Sequence, residues 1–173
     1  VKVQLARPDL ESLDGLNSDA LCLFLFEDVR PMKGLAGLVD WRLGAAISGH
    51  LETGWLTGAS GERFILPAHH KLPVNKIFGF GLGPSSSFEP TLQHALVLDA
   101  FRTLRDAGAH GTILSPPGRA EDLATDMESL EAVCQALDRS MDFDEVVIVD
   151  SYRRIQDAYR KLDLYLKPLL GAP

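Results

Sequence analysis

Apolar residues fall in short, nearly unbroken runs separated by longer amphipathic stretches. Residues 19–26 (DALCLFLF) and 145–149 (EVVIV) are almost continuously apolar, the pattern of strands buried on both faces. Residues 1–6 alternate and Pro8 ends them, so they read as a strand; residues 63–66, 76–80 and 111–114 read as three more. Over residues 34–50, Leu35, Leu38, Val39, Ala46 and Ile47 recur at helical spacing and predict one long helix. Residues 53–61 are Gly-rich and predict a loop or hairpin, and residues 81–87 a turn. Pro90 suits a first helical position, and residues 91–107 follow as a helix that Gly108 stops. Residues 121–137 carry one stripe of Leu123, Met127, Leu130, Cys134 and Leu137. Asp150 or Ser151 is placed to cap a last helix running to about residue 167, with Tyr159 on its apolar stripe beside Ile155, Leu162 and Leu166.

Helix and strand alternate through the second half, which implies right-handed crossovers. The fold class is therefore α/β, a three-layer α/β/α sandwich with a mixed, largely parallel sheet. No linker divides the chain, so residues 1–173 are expected to form a single domain.

Composition removes several function classes. The net charge of -7 and scattered basic residues leave no electrostatic footprint for nucleic acid. No apolar run is long enough to span a bilayer and no signal segment opens the sequence, so the expectation is a cytoplasmic location. Cys22 sits in an apolar strand and Cys134 on an apolar helical stripe, as buried thiols do.

Glycine-containing turns near strand ends carry the remaining chemistry. In Gly79-Phe80-Gly81-Leu82-Gly83-Pro84 a proline stands where a dinucleotide fingerprint needs its third glycine, and no Gly-Lys-Ser/Thr follows. Gly34 and Gly37 open a helix, where small residues let an anion approach backbone N–H groups. Ser115-Pro116-Pro117-Gly118-Arg119 follows a strand, where ligands of α/β sheets collect. The candidate ligand-binding residues are thus Gly34, Gly37, Gly81, Gly83, Ser115, Gly118 and Arg119. No catalytic residue is assigned. Adjacent His69 and His70 are ill-placed to share a metal, and no cofactor is expected. Asp138, Asp142, Asp144 and Glu145 lack a calcium-loop register and read as a solvated turn.

Several segments in order resemble the N-terminal domain of the leucine (cytosol) aminopeptidase family. They are the Asp19-Ala20-Leu21 strand opening, Leu38-Val39-Asp40 with Gly44, the Trp55-x-x-Gly58-x-x-Gly61-Glu62 loop, and the strand ending in Gly79 to Gly83 before a long helix. The resemblance implies a macro-domain-like sandwich and a non-catalytic accessory role in assembly or regulation of a metallo-aminopeptidase. It also implies a catalytic aminopeptidase domain or a homo-oligomer as partner. The family's metal-binding Asn-Thr-Asp-Ala-Glu-Gly-Arg motif belongs to a separate catalytic domain and does not occur in this sequence. The layout is similar to true macro domains as well, which implies an alternative: a binding module for a nucleotide or ADP-ribose-like anion.

Overall fold

The apolar runs at residues 19–26 and 145–149 are strands of one sheet. The computed structural model describes residues 1–140, 143–151 and 155–166. In chain order the elements are β1 (Lys2–Ala6), α1 (Leu10–Asp14), β2 (Ser18–Phe26), α2 (Gly34–Arg42), α3 (Ala46–Glu52), β3 (Arg63–Pro67) and β4 (Val74–Gly83). Then come α4 (Gln93–Asp106), β5 (Gly111–Leu114), α5 (Asp126–Ser140), β6 (Glu145–Val149) and α6 (Ile155–Leu166). The strands make one sheet in the order β1-β6-β5-β2-β4-β3. Every pairing is parallel except that of β3 with β4.

Odd and even strand positions feed two separate cores. Ala20, Cys22, Phe78, Phe80, Leu114 and Ile148 pack under α4, α5 and α6, whose Phe101, Leu130 and Leu162 they meet. Leu21, Leu23, Leu25, Ile77, Ile113 and Val147 pack against α1, α2 and α3 through Leu13, Leu35, Val39 and Ile47. This is the three-layer sandwich with a mixed sheet. Both cysteines are buried, and burial pushes both thiols up.

Four local expectations are corrected. The single helix over residues 34–50 is two helices, because Gly44 and Ala45 take positive φ (67° and 63°). Asp40, buried in the last turn of α2, then accepts the Ile47 and Ser48 N–H groups at 2.8 and 3.0 Å and so starts α3. The helix expected from residue 121 begins instead at Asp126, where Thr125 and Glu128 form a capping box: the Thr125 N–H and hydroxyl donate to Glu128 Oε2 at 3.0 and 2.7 Å. The turn expected from residue 81 is strand up to Gly83, followed by a 3-10 turn over Ser85–Ser87. Tyr159 is 45% exposed, and among the described side chains of α6 Ala158 and Leu162 are the ones that enter the core. Tyr152, Asp142 and residues 169–173 lie outside the described residues, as do the side chains of Ile155, Tyr165 and Leu166.

Candidate functional site

The chain leaves β2 toward one side of the sheet and β5 toward the other. β2 leads through α2, α3 and the edge strand β3 to β4, whereas β5 leads through α5 to β6. The carboxyl ends of β2 and β5 therefore flank the topological switch point, where ligands of α/β sheets bind. Five of the seven expected site residues meet there. Gly34 and Gly37 begin α2, and Ser115, Gly118 and Arg119 follow β5.

The glycines serve close packing at this place. A Cβ on Gly34 would lie 2.7 Å from that of Ala120, and one on Gly37 would lie 2.6 Å from the Met32 carbonyl oxygen. Gly118 has φ 75°, and a Cβ there would fall 2.3 Å from the ring of Phe88. The surrounding loops are tied in turn. Arg30 donates to the Phe26 and Val29 carbonyls at 2.7 and 2.8 Å. The Ser85 N–H and hydroxyl both donate to Asp28 at 2.8 Å, which holds that carboxyl below its usual range. Buried Gln93 donates to the Pro117 carbonyl at 2.7 Å and the Ser129 hydroxyl at 2.9 Å.

Little space is left. The cavity between Lys33, Leu35, Ser115, Gly118 and Glu121 measures about 20 Å³, room for roughly one water. Burial pushes the Glu121 carboxyl up; its own backbone hydrogen bond and Lys33 offset this only in part. A neighbouring cavity of about 220 Å³ lies over the ends of β5 and β6, lined by Gly34, Ser115, Arg119, Asp150 and Ser151. Arg119 is engaged there: its Nε donates to Asp150 Oδ2 at 2.9 Å and its Nη1 to the Ala124 carbonyl at 3.3 Å. The side chains of Arg119 and Asp150 are 12% and 4% exposed. Burial pushes the Asp150 carboxyl up against the opposing pull of Arg119 and of the Ser151 N–H. Arg119, a candidate ligand contact in the sequence, is thus paired within the chain, and the capping of the last helix by Asp150 or Ser151 falls on residues 152–154, outside the described residues.

Gly81 and Gly83 do not join this group. Both lie in β4, where a Cβ on Gly81 would come 2.0 Å from the Ala59 carbonyl oxygen. Gly83 has φ 76° and abuts Ser60. They let residues 58–60 lie against the strand. Glu121 and Asp150 were missed in the sequence. Asp150 directly follows the EVVIV strand, a position that carries the same signal as Ser115. Among the described residues, no three His, Cys, Asp or Glu side chains gather closely enough to hold a metal ion. None of the described helices is long and apolar enough to cross a membrane.

No family model matches the chain, and no curated protein does. Solved structures do. The fold is macro-domain-like. A macro domain of ganglioside-induced differentiation associated protein 2 aligns with a TM-score of 0.68 at 14% identity, covering 95% of this chain and 84% of that one. An Oceanobacillus iheyensis macrodomain variant solved with ADPR gives 0.68 at 15% identity, over 95% and 91%. A tomato leucine aminopeptidase variant gives 0.64 at 16% identity, covering 95% of this chain. The chain spans 35% of that aminopeptidase's length.

Proposed function

We propose that the chain is a non-catalytic accessory module of a leucine aminopeptidase-like protein, assisting the assembly or regulation of a metallo-aminopeptidase. The observation that carries this reading is the filled switch point. A nucleotide pocket is typically about 300–1,000 Å³, whereas the crevice holds about 20 Å³ and its neighbour about 220 Å³. The crevice is also lined by Glu121, and the arginine beside it is neutralised by Asp150. A pyrophosphate would meet Lys33 already facing the Glu121 carboxyl, and an Arg119 guanidinium already paired with Asp150. Large exposed aromatics on the α2–α3 side support a partner: Trp41 is 65% and Trp55 61% exposed.

The chain incubated with a leucyl substrate and added zinc or manganese is expected to release no product above the metal-only control. Metal-dependent turnover by this chain alone overturns the reading.

The alternative, a module for an ADP-ribose-like anion, draws on the macrodomain likenesses and on the cavity beside Gly34 and Ser115. It requires the Arg119–Asp150 pair to open. Melting curves with ADP-ribose separate the two readings: a saturable rise in Tm supports the alternative.

A further inference from the structure

A cavity of about 400 Å³ opens between residues 60–63, the end of β4 and α4. Its floor is aromatic: the rings of Phe24 and Phe80 lie 5.7 Å apart and tilted by 33°. Leu92 and Leu96 form the facing wall. Phe24 belongs to β2, a strand paired on both sides, and its same-face neighbours Ala20 and Cys22 are each 1% exposed. Phe24 is only half-buried, and Leu92 is 45% exposed. A core aromatic left open in a concave site is apolar area that a ligand gains by covering.

The rim is charged with both signs. Arg63 donates to Asp99 at 2.7 Å, and each side chain is 53% exposed. Such exposed pairs hold little stability, so parting them costs little. Glu62 is engaged elsewhere, accepting the Thr57 and Gly58 N–H groups at 3.1 and 2.6 Å. A ligand with one charge would leave either Arg63 or Asp99 without a counter-charge, whereas a zwitterion satisfies both.

We propose that this cavity binds a free α-amino acid with a large apolar side chain. The side chain lies on the Phe24–Phe80 floor, the carboxylate meets Arg63, and the ammonium meets Asp99. This site shares Phe24 with the strand-end crevice but opens on the α4 side of it, and it does not depend on the accessory-module reading.

The test is calorimetric titration with L-phenylalanine and L-leucine. N-acetyl-L-phenylalanine and L-phenylalanine amide each remove one charge. Saturable binding is expected for both amino acids, weakened about tenfold or more by either blocked derivative and by Arg63→Gln or Asp99→Asn. Because both rim side chains are exposed, these variants are expected to keep the wild-type circular dichroism spectrum. Ala95→Phe, on an exposed position lining the cavity, is expected to abolish binding while the fold is kept. Absence of saturable heat at about 20 mM of either amino acid overturns the proposal, since Kd is then far weaker than millimolar. Equal binding of the blocked derivatives, or binding untouched by Ala95→Phe, overturns it as well.

Discussion

The crevice over β2 and β5 and the cavity under α4 are built on one sheet; Phe24 lines both, and Phe88 packs between them. Its ring closes over Gly118 on one side and lines the larger cavity on the other. The crevice occupies the place where α/β sheets bind ligands, yet short loops, close-packed glycines and a buried ion pair fill it. The cavity lies off that axis and keeps an open aromatic floor. Position in a fold therefore supplies only an opportunity. What a site can hold is decided by which side chains the chain has already put there.

The comparison breaks most strongly at the buried pair. Asp150→Ala leaves largely buried Arg119 with only the longer contact to exposed Asp122 at 3.6 Å and the Ala124 carbonyl, at an expected cost of about 2–3 kcal/mol, read from urea denaturation. A loss below about 1 kcal/mol, the range of exposed pairs, would show that the crevice is wet. Gly118→Val forces a side chain at φ 75° into the Phe88 ring and is expected to cost about 2–3 kcal/mol. It should disturb both regions together, and a neutral outcome would show that Phe88 is not a shared wall.

Smaller effects sharpen the contrast. Burial raises the Glu121 carboxyl, so folding disfavours its charged form. A raised carboxyl contributes stability that is full below the unfolded value and is lost as pH rises through the folded one. Glu121→Gln should therefore stabilise slightly at neutral pH and flatten the stability profile above the ordinary glutamate range; an unchanged profile contradicts the burial. At the other region, Arg63→Gln removes only an exposed pair and should change stability by less than about 1 kcal/mol in the same denaturation assay.

The layered fold was readable because it rests on local pattern. The DALCLFLF and EVVIV runs are β2 and β6, and the Leu130–Cys134–Leu137 stripe is the buried face of α5. Element ends were less readable where a polar side chain sets them. Nothing in the periodicity of residues 34–50 shows that Asp40 turns back on Ile47 and Ser48 across the positive φ of Gly44 and Ala45. The Thr125-x-x-Glu128 box is a sequence signal for the start of α5, whereas the apolar stripe alone begins earlier, at Leu123. The site was half legible. Proximity to strand ends picked out Gly34, Ser115 and Gly118, but the partner that occupies Arg119 lies 31 residues away along the chain. The half-open Phe24 was hidden for the same reason, since only the course of α4 decides whether a β2 side chain is covered.

The central claim is that the switch-point crevice is closed by the chain's own side chains, and calorimetric titration with ADP-ribose tests it directly. The account predicts no saturable heat up to about 1 mM ligand, whereas binding with a Kd of about 10 μM, lost in Gly34→Val, would contradict it.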